Sequence, residues 1–281
     1  MKLNNIYIYD YNIIPTPYQD GKAAVKRKGA KMTEYIFIDL DETLLDFKRA
    51  EKEAVAKALE HFGIEDKEST LALYSKINLS QWKLLEQQKI TLPEVKSRRF
   101  ELLFKELGCD ASPESAAEYY EECLGDGAYA LSGAEEALKS LLCKGHRLFL
   151  ASNGTRRVQE RRLEKTGLGK YFEKVFVSEE IGFFKPDSRY FEACFSQISG
   201  FDRLKAVMVG DSLSSDITGG INAGIETVWL NRFGEKNESE IQPDYEISDI
   251  SELPGLIENI CKIQRNFTAV FFYFSREKYF G

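Results

Sequence analysis

The hydrophobic pattern divides the chain into a helical stretch and a stretch in which strands and helices alternate. Between residues 47 and 124, apolar side chains recur at spacings of three and four, as they do over 54–62, and this period is typical of amphipathic helices. Pro93 suits the first turn of one such helix and Gly108 suits its end. The sequence therefore predicts a helical cap over residues 47–130.

On either side of the cap, short apolar segments alternate with amphipathic ones. The first, Tyr35-Ile-Phe-Ile38, has no polar interruption, which is typical of a central strand covered on both faces. Further strands are predicted at 146–151, 174–177, 206–209, 227–230 and 245–247, and helices at 134–143, 155–165, 188–197, 215–222 and 251–261. This alternation predicts an α/β fold, a doubly wound, mostly parallel Rossmann-like sheet with an inserted all-helical cap domain. The catalytic core would comprise residues 34–46 and 131–262.

Both ends of the chain fall outside this pattern. Residues 1–33 include a run from Lys22 to Lys31 with five basic and no acidic residues, and we expect a flexible or non-native extension there. Residues 263–281 form an aromatic C-terminal tail, with seven aromatic side chains in fourteen positions. This tail is either an extra packing or non-native segment or a partner-binding tail, and the sequence leaves both readings open.

Composition and charge narrow the class of protein. The 281 residues are 43% hydrophobic and 30% charged, as in a globular domain, and no apolar run reaches the roughly 18 residues that a membrane span needs. We expect a cytoplasmic protein that is a monomer or a homodimer. A net charge of −7 argues against a nucleic-acid polymer as partner, whereas a small phosphorylated ligand needs only a local positive site. Five scattered cysteines and two histidines predict neither a disulfide framework nor a zinc site.

The candidate chemistry begins directly after the first predicted strand, with Asp39-Leu-Asp41-Glu-Thr43. Two carboxylates so close together repel each other strongly where the dielectric constant is low, so a cation must neutralise one of them or a proton must occupy it. In parallel sheets, chemistry takes place beyond the carboxyl ends of the strands. The pattern therefore predicts a metal ion and an acid or base at this edge.

Three more polar segments follow predicted strands of the core. They are Ser152-Asn153-Gly154, Lys185-Pro186-Asp187 and Gly210-Asp211-Ser212, the last with Asp216 five residues beyond Asp211. Because the carboxyl ends of parallel strands lie along one edge of the sheet, all four segments are expected to converge on one crevice.

These segments resemble, in the same order, the four motifs of the haloacid dehalogenase superfamily, and the resemblance covers roughly residues 34–262. Within the superfamily, Asp-Glu-Thr-Leu-Leu, Ser-Asn-Gly and Gly-Asp-Ser-Leu-Ser-Ser-Asp most resemble the pyrimidine 5′-nucleotidase branch, which acts on nucleoside monophosphates. The resemblance implies a phosphomonoester hydrolase that works through an aspartyl-phosphate intermediate and depends on Mg²⁺.

The resemblance also implies a role for each motif residue. Asp39 is the expected nucleophile and Asp41 the general acid and base. Mg²⁺ would be held by the carboxylates of Asp39 and Asp211 and by the backbone carbonyl of Asp41. The phosphate is expected to be bound by Ser152, Asn153 and Lys185, with Asp216 and Thr43 supporting these groups from behind.

An aspartate at position 41 favours a phosphatase or a phosphomutase, because ion-pumping relatives carry threonine there and dehalogenases do not carry aspartate. We expect a small phosphorylated metabolite as the partner, and a pyrimidine nucleoside monophosphate first among them. The alternatives are a phosphatase of a sugar phosphate or of phosphoglycolate, a phosphomutase, and, from a different class, a non-catalytic binding module on the same fold.

Substrate choice is expected to lie in the cap, which can close over the crevice and exclude water. The candidate substrate contacts are Phe47, Trp82, Arg98, Arg99 and Thr155. The competing interpretation places Trp82 in the core of the cap and the two arginines on a solvated helix face. Glu42 is either a marker of the branch or a solvated flap residue, and Phe183 and Phe184 either line the site or anchor the loop of Lys185.

Overall fold

A computed structural model describes residues 33–65 and 67–262, together with two two-residue strands, Pro15–Thr16 and Ala24–Val25. The chain divides into two compact units. One is Thr33–Gly255, to which all the following descriptions of packing and chemistry belong, and the other is Met1–Met32 with Leu256–Gly281. Apart from the two short strands and Thr33, the predictions for residues 1–33 and 263–281 lie outside the described residues.

The core is a six-stranded sheet in which every pair of neighbours is parallel, as the alternation of strands and helices predicted. Its strands are β1 (Tyr35–Ile38), β2 (Arg147–Ser152), β3 (Lys174–Val177), β4 (Ala206–Gly210), β5 (Glu226–Leu230) and β6 (Tyr245–Ile247). The order across the sheet is β3-β2-β1-β4-β5-β6. All four residues of β1 are buried, which explains its unbroken apolar run.

Four helices lie between β1 and β2, and no described residue from 47 to 126 belongs to a strand of the sheet. They are α1 (Phe47–His61), α2 (Glu68–Glu86), α3 (Leu92–Leu107) and α4 (Pro113–Asp126). Helix α1 packs on α4, and α3 packs on both α2 and α4. Their shared core consists of Ala, Val and Leu side chains around four buried aromatic ones, Tyr74, Phe100, Phe104 and Tyr120.

The remaining helices alternate with the strands. They are α5 (Ala134–Cys143), α6 (Arg156–Thr166), α7 (Ser178–Ile181), α8 (Ser188–Phe195) and α9 (Thr218–Asn222), and residues 253–262 are also helical. Helix α7 was not predicted, because four residues are too short to show a helical period. The helix predicted over 215–222 begins as a π-helical turn, Leu213–Ile217.

Two expectations about the class of protein can be compared with the described residues. None of the described helices is both long enough and apolar enough to cross a membrane. All five cysteines fall within the described residues and are free thiols.

The strand order creates one place where chain direction across the sheet reverses. From β1 the chain moves outward to β2 and β3, and it then returns to the other side of β1 for β4, β5 and β6. In open α/β sheets, ligands bind outside the carboxyl ends of the strands at such a switch point. Because Asp39 follows β1 and Asp211 follows β4, both residues lie at this crevice.

Candidate active site

The four polar segments predicted to converge do meet at the carboxyl edge of the sheet. Carboxylate oxygens of Asp39, Asp211 and Asp216 lie within 4.8 Å of one another. The ammonium nitrogen of Lys185 is 2.6 Å from Oδ1 of Asp39 and 2.7 Å from Oδ1 of Asp216. Residues from the loops after β1, β3 and β4 therefore form one charged cluster.

Lys185 lies at the centre of this cluster and is only 1% exposed. Its third hydrogen bond runs from Nζ to the backbone carbonyl of Ala151, at the end of β2. Burial alone would lower the pKa of Lys185, but the negative charges of Asp216 and Asp39 outweigh it and raise the pKa. The side chain is therefore held as a fixed positive charge beside Asp39.

The cluster contains more negative than positive charge, since three carboxylates surround one ammonium group. Asp211 makes no ion pair with any residue that the structure describes. Burial, together with the neighbouring charges of Asp216 and Asp39, raises the pKa of Asp211 well above its ordinary range, and burial raises the pKa of Asp39 as well. A divalent cation would relieve this repulsion. Hard oxygen donors at this spacing are the ligands that Mg²⁺ prefers, so the residues present fit that ion.

Asp216 accepts hydrogen bonds through both of its carboxylate oxygens. Oδ1 accepts a hydrogen bond from Lys185, and Oδ2 accepts one from the backbone amide of Ser212 at 3.1 Å. The residue is 1% exposed, so its carboxylate is buried. This geometry suits the predicted supporting role, in which Asp216 orients Lys185.

The hydroxyl of Ser152 is buried at the end of β2 and can still donate. Its oxygen accepts hydrogen bonds from the amide of Gly154 at 3.1 Å and from Nε2 of Gln159 at 2.9 Å. Both contacts use the oxygen as acceptor, which leaves the hydroxyl proton available to a phosphate oxygen.

The side chain of Asn153 serves the loop of Lys185. Its Oδ1 accepts from the backbone amide of Lys185 at 2.9 Å, and its Nδ2 donates to the carbonyl of Lys185 at 2.8 Å and to Ser215 Oγ at 3.2 Å. Since the oxygen and the nitrogen of this side-chain amide both bond the backbone of Lys185, Asn153 positions the loop of Lys185. Its predicted contact with phosphate stays a prediction.

Asp41 is held by two residues of α6 that the sequence analysis missed. Arg162 forms an ion pair with Oδ1 of Asp41, and Gln159 donates to Oδ2 at 2.7 Å. The signal was present in the helix itself. Gln159 and Arg162 are buried beside Val158 and Leu163, where the helical period calls for apolar side chains.

The turn between Asp41 and α1 contains two buried polar residues. The hydroxyl of Thr43 has no hydrogen-bond partner among the described residues. Glu42 has a left-handed backbone, with φ of 57°, and its carboxylate pairs with Arg232 at 2.9 Å and accepts from the amide of Lys48 at 2.7 Å. The reading of Glu42 as a solvated flap residue is therefore wrong, and Arg232, on the loop after β5, was not anticipated.

The cap meets the loop of Lys185 through an apolar cluster. Trp82 and Phe184 pack against the same three buried side chains of α2 and α3, which are Leu85, Leu92 and Val95. Next to this cluster, Oε2 of Glu86 accepts a hydrogen bond from Ser214 at 3.0 Å. The end of α2 therefore covers one side of the crevice, and Phe184 joins the cap rather than only its own loop.

The two candidate arginines of the cap differ in environment. Arg99 is only 4% exposed, donates to Oδ1 of Asn78 at 3.2 Å and lies 4.4 Å above the ring of Tyr120. The reading that places it on a solvated helix face is therefore wrong. Arg98 is half-buried and donates to Gln81 at 3.3 Å. Contact of either arginine with a substrate stays a prediction.

Phe47 and Thr155 lie at the starts of two helices near Asp41. Phe47 packs against the core of the cap, and the guanidinium of Arg162 lies 5.8 Å from its ring centre. Thr155 is buried directly before α6. Their predicted contacts with substrate also stay predictions.

Comparison with known proteins gives consistent matches over most of the chain. A family model described as haloacid dehalogenase-like hydrolase matches residues 35–230. The chain is 38% identical to the pyrimidine 5′-nucleotidase PynA of Streptococcus pneumoniae, over 78% of this chain and 93% of that one. It is 30% identical to the pyrimidine 5′-nucleotidase YjjG of Escherichia coli, over 80% and 97%. The crystal structure of the HAD-hydrolase YfnB of Bacillus subtilis, bound to magnesium, matches with a TM-score of 0.76 and 35% identity, over 81% and 99%.

Proposed function

The chain belongs to the haloacid dehalogenase-like hydrolase family and is a phosphatase, and from this premise we propose that it is a Mg²⁺-dependent 5′-nucleotidase of pyrimidine nucleoside monophosphates. The observation that carries the proposal is the contact of Lys185 with Asp39 inside a cluster of three carboxylates. Asp41 lies two residues beyond Asp39, at the same edge of the sheet. In this proposal Asp39 is the nucleophile, Lys185 is the fixed positive charge and Asp41 is the acid beside one crevice.

The carboxylates of Asp39 and Asp211 would hold Mg²⁺, together with the backbone carbonyl of Asp41. The ion would neutralise the phosphate and its nucleophile as they approach each other. Two observations support this assignment: Asp211 has no ion-pair partner among the described residues, and the similar YfnB protein was solved bound to magnesium.

In the first half of the reaction, an oxygen of Asp39 attacks phosphorus and the bond between phosphorus and the ester oxygen breaks. The electron pair of that bond goes to the leaving oxygen, which takes a proton from Asp41. Lys185 and the hydroxyl of Ser152 stabilise charge on the transferring phosphoryl group. The products of this half are an aspartyl phosphate at Asp39 and a free nucleoside.

In the second half, water attacks the phosphorus of the aspartyl phosphate. Asp41, now ionised, accepts a proton from that water. The bond between phosphorus and Asp39 breaks, phosphate leaves, and both carboxyl groups return to their starting states. An aspartate at position 41 is thus what makes hydrolysis complete.

The substrate class is inferred from the relatives and from the cap. PynA and YjjG are both named pyrimidine 5′-nucleotidases, and they are covered over almost their whole length. Trp82 of the cap and Phe184 of the Lys185 loop pack against one apolar cluster, and aromatic side chains of this kind can stack on a base.

A phosphate-release screen tests the substrate. The purified protein is incubated with Mg²⁺ and a panel of nucleoside monophosphates and sugar phosphates, and UMP, dUMP and dTMP are expected to be among the fastest substrates. Activity on a sugar phosphate with indifference to all three pyrimidine nucleotides would overturn the choice of substrate. Conversion of a sugar phosphate into its isomer without release of phosphate would instead identify a phosphomutase.

Magnesium binding can be measured without turnover, by thermal unfolding. At a Mg²⁺ concentration of 100 times Kd, binding stabilises the folded state by about 2.7 kcal/mol, which corresponds to a rise in Tm of about 5–10 °C for a unit of this size. The Asp211→Asn variant is expected to lose most of this rise, because it replaces a charged carboxylate ligand by a neutral amide. Asp110→Asn changes an exposed aspartate in the same way and should keep it. An equal rise in Asp211→Asn would contradict the proposed ligand set.

A further inference from the structure

We propose that Arg162 is the positioning residue of Asp41, and that it ties the direction of this carboxylate to the chain segment that leaves the helical cap. The inference rests on the acid and base role of Asp41 in the proposed function. It assigns a role in the reaction to two residues of α6, Arg162 and Gln159, that match none of the four sequence motifs.

Arg162 is fully buried and donates hydrogen bonds to several groups. The side chain of Arg162 is 0% exposed, although an arginine side chain stays charged even when it is buried. Its Nη1 pairs with Asp41 and also donates to Oε1 of Gln159 at 3.2 Å. Its Nε donates to the backbone carbonyl of Gly127 at 3.1 Å. The planar guanidinium thus contacts Gln159 of its own helix and one group from each of two other chain segments, Asp41 and Gly127.

Gln159 is the second residue of α6 that donates a hydrogen bond to Asp41. Its Nε2 donates to Oδ2 of Asp41 at 2.7 Å and to Oγ of Ser152 at 2.9 Å. Both oxygens of Asp41 are therefore held from α6, which leaves the carboxylate little freedom to rotate. The same amide reaches the hydroxyl expected to bind phosphate, so the acid and the phosphate site share one support.

The contact with Gly127 connects this support to the cap. Gly127 directly follows α4, where the chain returns from the cap to the core. A Cβ atom added at Gly127 would lie 2.6 Å from Cβ of Ala50 in α1, so the segment is packed tightly from the other side. Arg162 therefore connects two parts of the chain. One is the segment at Gly127, where the chain leaves the cap, and the other is Asp41, which lies shortly before the chain enters the cap.

The energetic cost of this arrangement supports a role beyond packing. Burying an arginine removes its hydration, and an apolar side chain at such a position is often as stable or more stable. Nη2 of Arg162 has no hydrogen-bond partner among the described residues, which adds to the cost. The guanidinium does, however, supply two donors at fixed angles, which an apolar side chain cannot. A displacement of a catalytic group by about 1 Å can cost about 100-fold in rate, so orientation at Asp41 has a large effect.

The test compares two leaving groups in the Arg162→Met variant. The substrates are the best nucleotide or sugar phosphate from the screen, whose alkoxide needs a proton to leave, and p-nitrophenyl phosphate, whose phenolate does not. We measure kcat/KM, which reports the steps up to departure of the leaving group. A loss of about 100-fold is expected for the alkyl substrate and less than about 10-fold for p-nitrophenyl phosphate. Arg157→Met, which changes an exposed arginine of the same helix, should leave both values unchanged.

A second variant guards against simple failure to fold. Arg162→Lys keeps the charge but replaces the planar fork of donors by a single nitrogen. It should show a smaller loss with the same dependence on the leaving group. Equal losses for both substrates in either variant would indicate general damage to the structure and would overturn the inference.

A double-mutant cycle separates this inference from the proposed function. If Arg162 acts through Asp41, then Arg162→Met should cause almost no further loss in an Asp41→Asn background. Full additivity of the two losses would overturn the positioning role alone. Unimpaired turnover of the alkyl substrate in Asp41→Asn itself would overturn the acid and base assignment of the proposed function, and the role of Arg162 with it.

Discussion

Replacing Asp39 by asparagine is expected to abolish phosphate release, with a fall in kcat of at least about 10⁴-fold. The amide of asparagine is a poor nucleophile toward phosphorus, so the aspartyl phosphate cannot form. Lys185 keeps its second carboxylate partner, Asp216, in this variant, and the fold should therefore survive the change. The measurement is phosphate release under saturating Mg²⁺ with the best substrate from the screen.

A matched control and an independent readout make this result specific. Asp110→Asn alters an exposed aspartate of the cap in the same way and should release phosphate at the normal rate. Acid quenching during turnover should leave a phosphoryl group on the peptide that contains Asp39 in the unaltered protein and none in the variant. Turnover by Asp39→Asn above about 1% of normal would exclude Asp39 as the nucleophile.

Replacing Lys185 by methionine is expected to remove activity and also to destabilise the folded protein. Lys185 is 1% exposed and pairs with two buried carboxylates, so its loss leaves their charges without compensation. Breaking a buried ion pair by removing one partner typically costs about 3–5 kcal/mol. The free energy of unfolding in denaturant, measured without divalent ions, should fall by about this amount.

Magnesium distinguishes a charge effect from a packing effect in this variant. Because a cation can replace part of the missing positive charge, Mg²⁺ should stabilise Lys185→Met by more than it stabilises the unaltered protein. Lys52→Met removes an exposed lysine of α1 and should change the free energy of unfolding by no more than about 0.5 kcal/mol. If Lys185→Met unfolds at the same denaturant concentration as the unaltered protein, the charge balance inferred for the cluster is wrong.

Much of the fold could be predicted because it depends on local sequence patterns, such as apolar runs and the residues that begin and end helices. The unbroken apolar run of β1 predicted a strand covered on both faces, and all four of its residues are buried. Helix α3 has Pro93 in its first turn, and Gly108 ends it with a left-handed φ of 64°, as the sequence indicated. Helix α7 was missed because a four-residue helix has no period to detect.

The sequence by itself determined the sheet, the helical insertion and the meeting of Asp39, Lys185 and Asp211, because strands of one parallel sheet bring their carboxyl ends to a common edge. Only the tertiary structure decided which side chains hold these groups in place. Gln159 contacts Asp41 across 118 positions of sequence, and Arg232 contacts Glu42 across 190. A hydrophobic period reports whether a position is buried, but it does not report which polar group lies opposite. That pairing depends on how separate elements pack. Here α6 packs against the loop that follows β1, so that Gln159 and Arg162 contact the carboxylate of Asp41.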